Sequence, residues 1–351
     1  MAAMKDLFGW EGRYRCRSVP TPRHGPLRPG VTVLIPTWNA ADLLHTCLNL
    51  LQQQDLQPSA VLVVDNASAD STAEVVREFP DVQMMRLDTN MGYSGALAHA
   101  LEWVDTDYAA VLNNDARPES GWLRALARRL DEDPQLGCAF PLSIRTDGFI
   151  DTAGDVITSA GFAYKRLFRR PNPEPPASDV FVSPPGVAPV YRTVALLAAG
   201  GWDAGLHSQW DDLDLGIRLW RAGWSSILES AVRVVHGQGV SSARRARTRE
   251  FLAARNETVV LLKTMSAAVL IRMLPRHLLY LTLTLCSHFS RGNVSAFVAG
   301  KVAALASLGA VVKARRTVPR KRPLAWPAFD PRWVHAWFGL SRWGGRKAPS
   351  S

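Results

Sequence analysis

The first half of the chain alternates short apolar runs with amphipathic segments, and this alternation limits the fold more than any other feature. Helical periodicity marks residues 40–54, 71–78 and 94–103. The other runs are apolar almost throughout, like strands buried on both faces of a sheet: VTVLIP at 31–36, AVLVVD at 60–65, VQMMRL at 82–87 and YAAVLN at 108–113. Because parallel strands need crossover helices, the sequence predicts an α/β fold with a mainly parallel sheet and flanking helices.

The alternation then gives way to turn-forming residues. RTDGFIDTAGDVITSAGF, which begins at Arg145, is typical of hairpin strands, and the proline-rich RRPNPEPPASD is typical of an exposed connector. Residues 193–201 predict a short helix closed by Gly200 or Gly201, and the stretch SSILESAVRVVH predicts a further strand.

Composition and charge exclude several classes of protein. The four cysteines are scattered without a CxxC pair or a histidine at ligand spacing, which indicates neither a zinc site nor a disulfide framework and favours a reducing cytoplasm. MAAMKDLFGWEGRYRCR at the start has no apolar core, so we expect no secretory signal. The net charge of +10 comes from residues 301–351, whereas the first 300 residues are electroneutral. This favours a neutral body with a basic anchor over a nucleic-acid binder.

Apolar segments dominate the chain from residue 258 onward. They are interrupted by Lys263, Arg272, Arg276 and Pro275, so the sequence does not favour a spanning helix of about 20 residues. We expect helices that lie in a membrane interface, and the alternative is a soluble helical subdomain. Four tryptophans would then lie at headgroup depth: Trp326, Trp333, Trp337 and Trp343.

Two polar stretches follow predicted strands at one edge of the sheet, where open α/β sheets bind ligands. Asp65 ends a strand and suits a ribose or a base edge, although an Asx-turn explains it equally. Asn90, Gly92 and Gly95 precede a helix, and glycines there let a phosphate approach the backbone.

A third stretch and a later histidine suggest a metal. Asn113, Asn114 and Asp115 end another strand, and their oxygens suit Mg²⁺ or Mn²⁺ together with substrate phosphates, although the same residues also form turns. His236 ends a later strand, where it would ligate a metal, contact a phosphate or serve a structural role.

The stretch WDDLDLGIRLWRAGW places three aspartates ahead of a helical apolar pattern. If a helix starts near Asp212, Asp211 is its N-cap, and Asp214 completes a reciprocal capping arrangement. Asp212 is then left without a structural role. The apolar stripe of this helix should face the core: Leu213, Ile217 and Trp220.

Together these stretches resemble the inverting glycosyltransferases of family 2, which have a GT-A fold. The resemblance is closest to bacterial rhamnosyltransferases and galactofuranosyltransferases that act on polyprenyl-linked acceptors. It covers residues 31–242 through eight motifs in order: PTWNA, VVDNASADST, NMGYSGALAHAL, LNNDARP, GVAPVYR, GGWD, WDDLDLGIRLWRAGW and VVHGQGVSS.

The resemblance implies roles for individual residues. Asp115 and His236 would hold a divalent ion, Mg²⁺ or Mn²⁺, on the donor diphosphate, although Asn113 stands where many relatives have an acid. Gly186 and Ala188 would face the acceptor. Seven residues would border the nucleotide sugar: Pro36, Thr37, Asn39, Asp65, Asn90, Gly92 and Asn114.

An acceptor hydroxyl needs a carboxylate base, and the resemblance gives that role to Asp212, with Asp211 as the second candidate. Relatives often show a pair like Arg255 and Asn256, and Arg255 would meet a diphosphate or lie on a solvated helix face.

The resemblance also implies a function and a domain organisation. A nucleotide-diphosphate sugar of dTDP-rhamnose or UDP-hexose type would donate its sugar to a glycan or lipid-linked glycan at the cytoplasmic membrane face. The alternative is a catalytically silent nucleotide-sugar-binding scaffold. Residues 1–30 would be an extension, residues 31–257 the catalytic domain with halves at 31–141 and 142–257, and residues 258–351 a membrane-associating tail with no nucleic-acid partner.

Overall fold

The structure is a computed structural model that describes residue 14 and residues 26–171, 182–237, 243–290, 294–325 and 329–331. Most of the proline-rich connector, the four tryptophans assigned to headgroup depth and most of the basic tail lie outside these residues.

A mixed sheet of nine strands forms the centre of the described residues. Its order is β3-β2-β1-β4-β11-β6-β12-β5, with β7 beside β6. The neighbours among β1 to β4 are parallel, whereas β11 runs antiparallel between β4 and β6. The strands are β1 Arg28–Thr37, β2 Ala60–Asp65, β3 Val82–Arg86, β4 Thr106–Val111, β5 Ala116–Pro118, β6 Leu136–Arg145, β7 Ile150–Thr152, β11 Val190–Arg192 and β12 Ser225–His236.

A smaller sheet and ten α-helices complete the described structure. The small sheet has the order β10-β8-β9, from β8 Asp155–Ile157, β9 Ala163–Lys165 and β10 Val182–Ser183. The helices are α1 Ala41–Gln52, α2 Thr72–Arg77, α3 Gly92–Ala100, α4 Trp122–Glu132, α5 Thr193–Ala199, α6 Asp211–Arg221, α7 Ala243–Thr264, α8 Ala267–Ser290, α9 Val294–Leu305 and α10 Leu308–Thr317.

The predicted α/β class, the first four strands and the helices between them are confirmed. Two apolar clusters lie on opposite faces of the sheet, because strand residues alternate between Val33 and Ile35 on one side and Leu34 on the other. Gly200 closes α5 with φ of 84°, as the sequence predicts.

The C-terminal helices are part of the same folded body as the sheet. A third apolar cluster joins Leu213 and Ile217 of α6 to Val259 and Val260 of α7, and Trp220, the third residue of the predicted stripe, packs against it partly buried. The division expected after residue 257 falls inside α7, which is continuous from Ala243 to Thr264.

One long helix of this region is apolar enough to cross a membrane by length and composition. This helix is α8, with a mean hydropathy of 1.3 over its best window, and Pro275 lies within it. Only 22% of that window is buried, so most of the helix surface is not covered by the described protein. A core helix of a soluble protein can meet the same criterion.

Candidate active site

Strands β1, β2 and β4 are neighbours, so their carboxyl ends bring three predicted stretches together. Thr37 lies in register with Asp65 on the adjacent parallel strand. Beyond β4, the Asn114 side-chain amide donates to the Thr37 hydroxyl at 2.8 Å. Pro36 and Thr37 are buried here, so they contribute mainly backbone and one hydroxyl to this edge.

Asp65 forms the turn that the sequence allowed and an ion pair that it did not reveal. One carboxylate oxygen accepts from the Ser68 backbone N–H at 2.9 Å, and the other lies 3.1 Å from the Arg86 guanidinium. Asn39, at φ of 48°, accepts from the Ala69 N–H at 2.7 Å. Asp65 is fully buried, whereas Arg86 is half exposed, so within this ion pair Arg86 is the group that solvent can reach.

Residues 90–92, which we call the glycine loop, are held in place by two asparagines. Asn90 accepts from the Gly92 N–H at 2.8 Å. Asn66, to which no sequence motif assigned a role, donates to the Gly92 carbonyl at 2.9 Å and accepts from the Met91 N–H at 2.8 Å. A β-carbon at Gly92 would lie 2.2 Å from His207 Nδ1, and φ there is 73°, so the position requires glycine.

A chain of charged groups runs from the end of β4 to the small sheet. His236 Nε2 lies 3.4 Å from Asp115, and its Nδ1 lies 2.9 Å from Asp151. Lys165 binds the other side of Asp151 at 2.9 Å. Burial lowers the pKa of His236, but the hydrogen bonds with the two carboxylates outweigh burial and raise it to about 9.

The structure brings the two expected metal ligands, Asp115 and His236, together. In the described part of the chain they do not belong to any cluster of three or more His, Cys, Asp or Glu side chains suited to a metal. Asn113 Oδ1 is buried with no hydrogen-bond partner within the described residues, so a neutral oxygen ligand is also available. This set fits an ion that shares its coordination with substrate phosphates, because Mg²⁺ usually takes only one or two carboxylates.

The capping roles predicted for Asp211 and Asp214 are wrong. Helix α6 starts at Asp211, and Trp210 is the cap residue, in a left-handed conformation with no side-chain cap bond. Asp214 instead pairs with Arg218 at 2.7 Å and with Lys263 at 2.7 Å. Two cations from the protein interior therefore neutralise Asp214, and capping does not separate the aspartates.

Geometry separates Asp212 from Asp211 in a different way. Asp211 is 6% exposed, whereas Asp212 is partly exposed and accepts from the Gly186 N–H at 2.8 Å. Asp212 Oδ1 finds no hydrogen-bond partner among the described residues. Burial raises the pKa of Asp212 well above its ordinary value, and the charge of Asp211 raises it further.

The two residues expected to face the acceptor differ. Gly186 lies against Asp212, since a β-carbon there would be 2.5 Å from its carboxylate. Tyr93 donates to the Gly186 carbonyl at 2.6 Å. Ala188 is fully buried in the core, and its carbonyl accepts from the Trp122 indole at 2.9 Å. Its side chain therefore cannot face an acceptor.

Both expectations for Arg255 are wrong, since its side chain is 0% exposed and lies neither on a solvated face nor at a ligand surface. It donates to the carbonyls of Gly205 and Leu206, a few residues before helix α6.

Known proteins match the region that contains these motifs. The family model described as "Glycosyl transferase family 2" matches residues 32–182. Residues 32–182 are therefore a family 2 glycosyltransferase domain.

Curated relatives extend the likeness of this glycosyltransferase beyond the matched domain. An N-acetylglucosaminyl-diphospho-decaprenol L-rhamnosyltransferase of Mycobacterium tuberculosis is 27% identical over 238 residues, 60% of this chain and 77% of that protein. A pre-mycofactocin glycosyltransferase of the same species is 30% identical over 220 residues, 62% of this chain and 44% of that protein.

Solved structures support the GT-A architecture of the glycosyltransferase. TarS residues 1–349 of S. aureus, in complex with UDP-GlcNAc, align with a TM-score of 0.54 at 18% identity, over 83% of this chain and 82% of that one. The Pyrobaculum calidifontis mannosyltransferase with GDP-Man and Mn²⁺ aligns at 0.50 and 18%, over 97% and 94%. At this identity the likeness shows the fold alone.

Several residues of this glycosyltransferase site were not identified from the sequence, among them Asn66, Asp151 and Lys165. Asn66 directly follows Asp65 in VVDNAS, so the strand-end position was a usable signal. Asp151 and Lys165 lie in the turn-rich hairpins, and only the fold brings them to His236.

Proposed function

We propose that this glycosyltransferase moves a sugar from a nucleoside-diphosphate sugar to a hydroxyl of a glycan or polyprenyl-linked glycan in cell-surface polysaccharide synthesis. The donor would be of dTDP-rhamnose or UDP-hexose type. The observation that carries the proposal is that Asp212, a partly exposed residue at the start of α6, lies within range of the charge of His236, which in turn contacts Asp115. The charges of Lys165 and His236 partly offset the rise in the pKa of Asp212 that burial and Asp211 cause.

The donor side of the proposal rests on the sheet edge. Asn114 is partly exposed beyond β4 and donates to Thr37 at the end of β1, and Asn66 and Asn90 hold the glycine loop beside them at the start of α3. The named function of the mycobacterial rhamnosyltransferase supports this class of reaction for the present chain.

Asp115 and His236, with Asn113 Oδ1, would hold a divalent ion, and Mg²⁺ or Mn²⁺ there would counter the charge of the departing diphosphate. His236 must lose its proton before it can act as a ligand. Asp151 binds Nδ1 of the ring and leaves Nε2 directed at Asp115.

Asp212 would act as the base in a single displacement. It accepts the proton of the acceptor hydroxyl while the hydroxyl oxygen attacks the anomeric carbon and the bond to the diphosphate oxygen breaks. The sugar inverts its configuration because the attack comes from the face opposite the leaving group. A raised pKa makes Asp212 a stronger base than an ordinary carboxylate, provided that it is ionised.

We also propose that the protein works at the inner face of the cytoplasmic membrane. Ile271 and Phe289 of α8 are 72% and 78% exposed, and Leu274 and Leu278 lie on the same face of the helix. Arg272 and Arg276 alternate with these residues and would meet anionic headgroups.

A donor screen tests the proposal. Thermal unfolding of the purified chain is followed with dTDP-rhamnose, UDP-glucose, UDP-GlcNAc and GDP-mannose, each with and without Mn²⁺. One donor should raise the unfolding temperature, and more so with Mn²⁺. That donor should then support transfer to a decaprenyl-diphosphate-linked GlcNAc acceptor. Binding without turnover would instead support the silent scaffold, and no response to any donor would reject both.

A further inference from the structure

The turn that precedes helix α6 has a left-handed backbone conformation that its residue types do not favour. His207, Gln209 and Trp210 have φ values of 68°, 67° and 65°, and none of them is glycine. Side chains with a β-carbon rarely adopt this region, so neighbouring groups must hold the turn in place. We define residues 205–210 as the 205–210 turn.

Two side chains of α7 bind four carbonyls of the 205–210 turn. Arg255 donates to Gly205 O at 3.0 Å and to Leu206 O at 2.9 Å. Asn256 donates to Leu206 O, Ser208 O and Gln209 O at 2.9, 2.8 and 2.7 Å.

The orientation of the Asn256 amide is also fixed. Arg255 Nε donates to Asn256 Oδ1 at 2.8 Å, which leaves the Asn256 NH₂ group directed at the turn. Both side chains are 0% exposed, so water does not compete for these hydrogen bonds.

The 205–210 turn connects the two halves of the site. The Ser94 N–H donates to His207 O at 3.0 Å, which joins the turn to the start of α3 beside the glycine loop. The Asp214 N–H donates to Trp210 O at 2.9 Å, which starts the helix that presents Asp212. A shift of this turn would therefore move both Asp212 and the glycine loop.

We propose that Arg255 and Asn256 are positioning residues for the transfer reaction. They act through the 205–210 turn and set the position of Asp212 relative to the glycine loop. Only the expected fall in kcat rests on the proposed function. The expected loosening of the 205–210 turn follows from the loss of hydrogen bonds and does not depend on which reaction the protein catalyses.

Asn256→Asp is the first test because it keeps the shape but replaces the NH₂ donor with an acceptor. Arg255→Lys is the second, since lysine keeps the charge but not the planar fork of donors. Arg249→Lys, an exposed position on the same helix, is the matched control. If the aspartate variant does not fold, the lysine variant still decides the question.

The first readout is amide hydrogen exchange, which needs no substrate. Peptides that contain Ser94 and Asp214 should exchange about tenfold faster in both variants, with β2 and the control unchanged. Unchanged exchange at these peptides would overturn the proposal, and so would faster exchange throughout the chain with parallel loss of activity.

The second readout is steady-state kinetics with the donor that the thermal screen identifies. Misplacement of the base should lower kcat about 100-fold, and the accompanying shift of the glycine loop should raise the donor KM by a smaller factor of about threefold. A higher KM with unchanged kcat would overturn the positioning role. Absence of transfer by the wild type with every donor would reject the proposed function, and the exchange result would still decide the role of the two residues.

Discussion

The donor side and the base side of the site are built in different ways. On the donor side, two asparagines that follow strands bind residues at or beyond the end of another element: Asn114 binds Thr37, and Asn66 binds Gly92. On the base side, the helix that holds Asp212 depends on α7, about 50 residues later in the chain. Donor loops can thus be recognised as short motifs, whereas the base requires the C-terminal helices to be folded.

The C-terminal helices therefore support the base side of the site, in addition to the membrane contact proposed for them. Lys263 of α7 binds Asp203 at 2.6 Å and Asp214 at 2.7 Å, and it is 3% exposed. Burial raises the pKa of Asp203, but Lys263 outweighs burial and holds the pKa below its ordinary value. The helix that leads toward the proposed membrane surface therefore contributes buried charges to the base side.

The largest effect should come from Asp212→Asn. The amide cannot accept the hydroxyl proton, so kcat should fall by about 10²- to 10⁴-fold while the donor KM changes little. Initial rates with the donor from the thermal screen measure this. Asp211→Asn is the matched variant and should keep most of the activity. If the two variants showed the reverse pattern, Asp211 would be the base.

Lys263→Met should have the largest effect on stability. It leaves Asp214 with Arg218 alone and removes a cation from Asp203, and loss of one partner from a buried pair costs about 3–5 kcal/mol. Urea denaturation followed by circular dichroism measures the free energy of unfolding. Lys313→Met, at an exposed position of α10, should change it by less than about 0.5 kcal/mol. Equal effects would show that α7 does not hold the base side through this pair.

The two sides also differ in how far the sequence predicted them. The strands, the short helix closed by Gly200 and the placement of Asp65 at the end of β2 follow from local patterns, and the structure confirms them. The capping roles of Asp211 and Asp214 failed because the helix starts at Asp211 itself and because Asp214 pairs with Arg218 and with Lys263 of another helix.

Arg255 illustrates the same limit. Burial of an arginine depends on carbonyls that are brought to it by the 205–210 turn, about 50 residues earlier. No periodicity within FLAARNETVV reports that contact. Long-range partners of charged side chains were therefore the part of the site that the sequence could not specify.

A moderate effect on the donor side should follow from Asn66→Ala. This change leaves the Gly92 carbonyl and the Met91 N–H without their partner, and an unsatisfied buried group costs about 1–3 kcal/mol. The donor KM should rise about tenfold with a smaller change in kcat. Asn49→Ala, whose amide bonds to His45 in the same helix, is the control. A fall in kcat alone would contradict the assignment of this loop to donor binding.

The smallest effect should be a shift in pH dependence. Protonated Asp212 cannot accept a proton, so kcat should fall as the pH decreases through its pKa. Burial and then Asp211 raise that pKa, and the acid limb should therefore lie above the range of an ordinary carboxyl. Asp211→Asn removes a like charge and leaves Lys165 and His236 in place, so the limb should move to lower pH.

The pH profile is measured as kcat at saturating donor and Mn²⁺. Asp42→Asn, an exposed change on α1, should leave the limb where it is in the wild type. A limb that did not move in Asp211→Asn, or moved to higher pH, would show that another group titrates. In that case Asp211 and Asp212 together would not set the pH dependence of the reaction. The base side would then differ from the donor side only in its contacts with α7.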